Sequence, residues 1–303
     1  MYKDIIDDLK KDHLSGASEL AKKAAEAISA FCRESEGISN QEFAKELSYV
    51  CRELNLAHRE IVPIFNLVNS TLNVLRERPA DKMATASQSA LKHVTEFMSS
   101  SHRALQTIWQ EGSKQLPLRA TIMTISSSGS VMGILKLAYQ QNKSPEVFIL
   151  ESRPLFEGRV LARVLEADGI SATLIVDAAC GYFMPQVDLV LIGADSLSET
   201  SFVNKIGTQA VLLLANRLQK PVWLATEESK LILEKLRPRP TVSGKPDEIW
   251  PENHGKLKCV NPYFEIIPLD LIQKVITNLG TFIPSEIPAL VQRLTIAPEL
   301  SEV

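Results

Sequence analysis

From Met1 to Glu111, apolar residues recur at spacings of three and four. Ile5, Ile6 and Leu9 share one helical face, and Leu20, Ala24, Ala27, Ile28 and Phe31 make a second stripe. Phe43, Leu47, Val50, Leu54 and Ala57 make a third. Ile61 to Leu75 predicts a fourth helix, with Pro63 tolerated only in its first turn. Ser87 to Trp109 predicts a long fifth, followed by EGSKQLP, which has the composition of a linker. Ser15 or Ser18 is expected to cap the second helix, and Ser39 or Asn40 the third. Glycine is rare and strand alternation is absent. Residues 1–116 therefore predict a helical N-terminal domain, an antiparallel bundle.

From Arg119 the texture changes. Short apolar runs appear at 120–125 (ATIMTI), 146–150 (EVFIL), 172–176 (ATLIV), 187–192 (VDLVLI) and 221–225 (PVWLA). Such runs predict strands buried on both faces of a parallel sheet. The segments Val131–Gln141, Gly158–Ala167 and Ile206–Leu218 between them are long enough for crossover helices. The βαβ alternation predicts an α/β fold, with residues 117–303 forming a Rossmann-like, doubly wound parallel sheet. Ligands of such sheets bind beyond the carboxyl ends of the strands. That directs attention to the loops Ser126–Ser130, Glu151–Gly158, Asp177–Phe183, Gly193–Lys205 and Thr226–Lys230. Residues 237–256, rich in proline, glycine and charge, predict a long loop. Beyond it, FEIIP predicts a last strand, with helical segments starting near Leu269 and Ser285.

Composition narrows the field. The 303 residues carry a formal charge of −3, with 33 Lys and Arg against 36 Asp and Glu, balanced along the chain. This argues against a nucleic-acid binder that works by bulk charge. Cys32, Cys51, Cys180 and Cys259 lie far apart, without the paired spacing of a zinc ribbon. The histidines His13, His58, His93 and His102 are dispersed, so neither a metal nor a cofactor is expected. Trp109, Trp223 and Trp250 are expected to be packing residues. The N-terminus MYKDIIDDLKKDHLSG is charged throughout and not a signal peptide, and no apolar run is long enough to span a bilayer. The expectation is a soluble cytoplasmic protein that binds no membrane.

Two loops carry candidate chemistry. Ser126-Ser127-Ser128-Gly129-Ser130 joins a strand to a helix, where unpaired N–H groups and the helix dipole both favour an anion. It is neither a Walker loop nor GxGxxG, which argues against a dinucleotide enzyme. Taken by itself, it reads first as an ordinary capped turn. The second loop runs from a buried strand into Gly193-Ala194-Asp195, and on to Asn204-Lys205-Ile206-Gly207-Thr208. An Asp at the carboxyl end of a strand stands where a general acid or base is placed, and a Lys before a helix can meet a phosphate. On spacing alone, a turn-capping Asp195 and a solvated Lys205 fit equally well.

The ordered series TISSSGS, VFILESRPLFEGR, IVDAACGYFM, VLIGADS, NKIGT, PVWLATEESK and NPYFE resembles one family from about Arg119 to the end. That family contains the alpha, beta and delta subunits of translation initiation factor 2B. It also contains isomerases of 5-methylthioribose 1-phosphate and ribose 1,5-bisphosphate. The resemblance implies a helical domain joined to a Rossmann-like domain, assembled as a homodimer or larger homo-oligomer. It implies a phosphorylated pentose or nucleotide as ligand, with Asp195 in acid/base catalysis and Asn204 and Lys205 contacting substrate. Ser127, Ser128, Gly129, Ser130, Arg153, Gly158 and Arg159 complete the expected substrate- and phosphate-binding set. The isomerases carry a catalytic Cys that aligns with Ser126, and Cys180 is the candidate to replace it. Serine is far less acidic than cysteine and needs a base to activate it. No His occurs between His102 and His254 to serve as that base. The Arg-Gly-Ala phosphate signature of the methylthioribose enzymes has no counterpart. His58-Arg59-Glu60 and IVPIFNLVN stand in that region. The sequence thus leaves two readings: an isomerase-like protein acting on a phosphorylated pentose, and a non-catalytic regulatory or interaction subunit that keeps the pocket.

Overall fold

The computed structural model describes residues 1–12, 16–35, 37–77, 85–240, 244–252 and 257–300. Ser15, His13 and His254 lie outside the described residues. Five helices come first: α1 (Tyr2–Lys11), α2 (Ala17–Glu34), α3 (Asn40–Ala57), α4 (Val62–Glu77) and α5 (Ala86–Gln115). Their apolar stripes bury as the spacing predicts. Leu20, Ala24, Ala27, Ile28 and Phe31 share a core with Phe43, Leu47, Val50 and Leu54, and Phe31 stacks on Phe43 at 5.3 Å. Ser39 caps α3 by accepting the Glu42 N–H. Residue 16, a glycine, rather than Ser18, stands at the N-cap of α2, with no side-chain capping bond. Pro63 falls in the first turn of α4, where its missing N–H has no helical partner to lose.

The α/β part follows as β1 (Thr121–Ile125), α6 (Gly129–Gln140), β2 (Glu146–Leu150), α7 (Glu157–Ala167) and β3 (Ser171–Ile175). The short α8 (Cys180–Phe183) precedes β4 (Leu189–Ile192), β5 (Ser196–Leu197), β6 (Ser201–Lys205), α9 (Thr208–Arg217) and β7 (Val222–Ala225). The chain ends with β8 (Phe264–Pro268), β9 (Lys274–Thr277), β10 (Gly280–Phe282) and α10 (Ile287–Val291). A seven-stranded sheet has the order β10-β9-β7-β4-β1-β2-β3, parallel except for the antiparallel edge β10. An antiparallel three-stranded sheet, β5-β6-β8, stands beside it.

Four local expectations are corrected. EGSKQ is not a linker but the last turns of α5. Gly112 is buried there against Ile134, where a Cβ would collide, so this glycine serves helix packing rather than breaking the helix. The expected loop Gly193–Lys205 contains the β5–β6 hairpin. The segment from Leu269 is a short 3-10 turn followed by β9 and β10, because β9 finds a parallel partner in β7. Finally, β3 is not buried on both faces: it is the sheet's edge, and Leu174 is exposed.

Two compact units emerge. One comprises Met1–Arg103, Ser229–Pro238 and Val291–Val303; the other Ala104–Glu228 and Arg239–Leu290. The first draws later segments into the helical core. Asn66 donates to the Ser229 and Leu231 carbonyls, and Ile232, Ala297 and Leu300 are buried among the helices. Among the described residues, no helix is long and apolar enough to cross a membrane.

Candidate functional site

The strand order reverses between β1 and β4. From β1 the chain steps outward through β2 and β3; from β4 it steps the other way through β7 and β9. The crevice beyond the carboxyl ends at such a reversal is the expected ligand position. The loops that flank it are Ser126–Ser130 after β1 and Gly193–Asp195 after β4. They touch: a Cβ on Gly193 would come within 2.7 Å of the Ser128 Cβ, so the backbone of one loop lies directly against the other. Ser128 is also the N-cap of α6 and accepts from Val131 N–H. Ser127 and Gly129 are exposed, Ser126 is half-buried and Ser130 is buried.

Neighbouring loops are tied to this pair through side chains. Ser126 N–H donates to Ser152 Oγ at 2.8 Å. Ser152 and Arg153 in turn donate their N–H groups to the two carboxylate oxygens of Asp177, at 2.8 and 2.7 Å. One carboxylate after β3 thereby sets the backbone after β2. Ser126, Ser152 and Phe156 all have positive φ, near +60° to +67°. Non-glycine residues in this region store strain that their surroundings must hold. Gly158 has no room for a side chain, since a Cβ would overlap the Leu150 carbonyl oxygen. The first turn of α7 is therefore pressed onto the end of β2.

The expected cations are already engaged. Arg159 pairs with Glu151 at 2.6 Å and lies 3.7 Å from the centre of the Phe156 ring. The Arg153 guanidinium donates to the carbonyls of Glu248 and Ile249. Lys205, at the end of β6, is only 1% exposed, and its ammonium donates to Glu157 Oε1 at 2.6 Å. A buried ammonium requires such a partner. Tyr263 lies beside it, 5.4 Å from ring centre to Nζ, and donates its hydroxyl to Glu248 at 2.5 Å. Burial first, and then the Glu248 carboxylate, push the Tyr263 phenol up to about 12.

Asp195 leads the β5–β6 hairpin and is half-buried; its N–H donates to the Val203 carbonyl. Asn204 is buried and donates to Thr208 Oγ1, whose hydroxyl donates to the Lys205 carbonyl. Cys180, the candidate substitute for a thiol at position 126, opens α8 beyond the edge strand β3. Burial raises its pKa, away from the thiolate form.

Among the described residues, five buried side-chain polar atoms have no hydrogen-bond partner within the chain. Glu299 Oε2 belongs to the helical unit. Thr124 Oγ1, Thr226 Oγ1, Ser196 Oγ and Glu157 Oε2 belong to β1, to the turn after β7, to β5 and to the start of α7. A buried polar atom without a partner is costly.

Sequence reasoning did not single out Glu157, Asp177, Glu248 or Tyr263. Asp177 was within reach of the rule that selected Asp195, since both follow the carboxyl end of a strand. Glu157 sits in the ESRPLFEGR motif, one residue before Gly158. Glu248 and Tyr263 come from irregular segments that carry no periodic signal.

The model of the Initiation factor 2 subunit family matches residues 13–284. The chain is 31% identical over 288 residues to a ribose 1,5-bisphosphate isomerase of Archaeoglobus fulgidus, covering 93% of this chain and 90% of that one. It is 28% identical to a putative translation initiation factor eIF-2B subunit 2-like protein of Pyrococcus horikoshii, covering 93% and 96%. Among solved structures, it superposes with a TM-score of 0.77 on the 5-methylthioribose 1-phosphate isomerase of P. horikoshii, at 20% identity over 96% of this chain and 86% of that one. At that identity the likeness establishes the fold alone.

Proposed function

The chain belongs to the Initiation factor 2 subunit family, and from that premise we propose that it binds a phosphorylated ribose at the carboxyl edge of its parallel sheet. We further propose that it acts there as an aldose–ketose isomerase of the ribose 1,5-bisphosphate type, in the cytoplasm, as a homodimer or larger homo-oligomer. The observation that carries the reading is that Thr124 on β1, Thr226 after β7, Ser196 on β5 and Glu157 at the start of α7 each hold a buried polar atom without a partner. A ligand rich in hydroxyl and phosphate oxygens supplies the partners they lack.

In this reading Asp195 is the acid/base group as the ribose ring opens: the ring oxygen gains a proton, hydrogen passes from C2 to C1, and the C2 hydroxyl loses its proton to become the ketone. Ser127, Ser128, Gly129 and Ser130 offer the α6 N-terminus to a phosphate, and Arg153, Gly158, Arg159, Asn204 and Lys205 line the ligand's other sides. A second reading, a regulatory or interaction subunit that binds without turnover, is favoured by one residue. Ser126 stands where the isomerases that this sequence resembles carry a thiol, and burial raises the pKa of the alternative, Cys180.

Conversion of ribose 1,5-bisphosphate to ribulose 1,5-bisphosphate by three proteins separates the readings. Asp195→Asn is expected to lower turnover by roughly 10²–10⁴ with little change in binding, the scale of a lost general acid–base group. Ser126→Cys is expected to raise turnover, because a thiol titrates near 8.5 and can carry the proton. Wild-type turnover that survives Asp195→Asn removes Asp195 from the chemistry. Binding without turnover in all three proteins establishes the second reading.

A further inference from the structure

Ser126 follows β1 and opens the loop that leads through Ser127 and Ser128 onto α6. Ser127 and Gly129 are exposed, and Ser126 and Ser128 are half-buried, so this loop is open to a ligand. Ser126 itself is held in the left-handed region, at φ +67°, where a residue with a side chain stays only under constraint. Ser152 supplies the constraint. A serine hydroxyl has one proton to give, and that of Ser152 goes to the Leu150 carbonyl at 2.9 Å. The oxygen is then left to accept, and it accepts the Ser126 N–H at 2.8 Å. Ser152 is fully buried and left-handed in its turn, at φ +66°. Asp177, which leads the short 3-10 turn after β3, holds it there. Its two carboxylate oxygens accept the N–H groups of Ser152 and Arg153, and bonds to an ionised acceptor are the stronger kind. The loops after β3, β2 and β1 are thus linked in series, from the edge of the sheet inward to the strand beside its reversal.

We propose that Asp177 and Ser152 are positioning residues for the Ser126–Ser130 loop. Asp177 fixes Ser152, and Ser152 fixes the backbone of Ser126. That backbone sets the direction of the Ser126 hydroxyl and the placement of the N–H groups that follow it. Both residues act through the loop rather than on the ligand. This rests on the reading of that loop as part of a phosphorylated-ribose site, and it assigns what holds the site in its binding form.

Calorimetric titration of ribose 1,5-bisphosphate tests it on the wild type, Ser152→Gly, Asp177→Asn, their double variant and Asp177→Glu. Ser152→Gly removes the hydroxyl, while glycine keeps the left-handed backbone without strain. Asp177→Asn keeps the shape but replaces one acceptor by a donor. Each is expected to weaken binding about tenfold, the scale of one lost charge-assisted bond. The double variant is expected to lie within about twofold of the weaker single one, because the two residues act in one series. Asp177→Glu is expected to bind more tightly than Asp177→Asn, since it restores the carboxylate; a role in shape alone predicts the reverse. Hydrogen exchange of the Ser126 amide is expected to quicken in Ser152→Gly and Asp177→Asn. Asn66→Ala, which loosens the helical unit, is expected to change neither that exchange nor the affinity. Full affinity in Ser152→Gly or Asp177→Asn overturns the proposal and leaves the sugar-phosphate site standing. So does a loss of about a hundredfold in the double variant, the product of two independent effects, or an equal loss in Asn66→Ala. Absence of binding by the wild type overturns the site itself and this inference with it. Should Asp177→Asn fail to fold, Asp177→Ser, which keeps one acceptor, takes its place.

Discussion

In the helical unit, Asn66 donates to two backbone carbonyls, Asn69 donates to Thr295 O and accepts from Ala297 N–H, and Thr71 donates to Leu67 O. Each of these residues is buried, and each partner belongs to the same unit. At the carboxyl edge of the sheet, Thr124 and Thr226 are just as deeply buried, yet their hydroxyls have no partner within the chain. The difference teaches which polar groups serve the fold. Asn66 and Asn69 of α4 stitch later segments of the chain into the helical core, where an unmet donor would be a pure loss. The hydroxyls of Thr124 and Thr226 lie on β1 and just after β7, and in the proposed reading their partners come from a ligand.

The comparison can be broken at its rigid points first. Gly158→Ala drives a methyl group into the Leu150 carbonyl and is expected to cost about 3 kcal/mol, at the upper end for overpacking. A urea midpoint left unchanged would show that α7 is free to move away from the end of β2. Asn66→Ala leaves two buried carbonyls without donors and is expected to cost about 2 kcal/mol in the same measurement, with sugar-phosphate affinity retained.

A matched pair sharpens the contrast. Thr71→Val removes a hydroxyl bonded at 2.7 Å and is expected to cost about 1 kcal/mol. Thr124→Val removes one without a partner and is expected to stay within about 0.5 kcal/mol of wild type while weakening ligand binding. Equal losses in stability would erase the distinction between the two regions.

The smallest effect depends on pH. Burial holds the His93 imidazole below its ordinary 6.5, so the unfolded chain takes up the proton more readily than the folded one. Its contribution is intact above pH 6.5 and declines as the pH falls below it. Because the ring is only half-buried, beside Ser70 Oγ, the decline is expected to be shallow. His93→Gln should flatten it, as thermal unfolding at a series of pH values would show.

What the sequence determined by itself is whatever rests on local periodicity. Stripes at three and four residues located the helices of the first unit, and apolar runs of five and six residues located five of the six parallel strands, all but β9. The alternation of runs and helices sufficed to locate the loops at the strand ends, including Ser126–Ser130 and Gly193–Asp195. Periodicity failed where an element depends on a distant partner. Residues 111–115 contain a glycine and read as a break, but Gly112 is there to admit Ile134. The strands β5 and β6 look like loop because Ser, Asn and Lys interrupt them. They become buried strands only through β8, some sixty residues later. The identity of Lys205 was legible, but its state was not. Whether a lysine is solvated or buried depends on finding a counter-charge, and Glu157 lies 48 residues earlier. Only the tertiary structure brings the start of α7 to the end of β6, since electrostatic pairing acts across space and leaves no period in the chain.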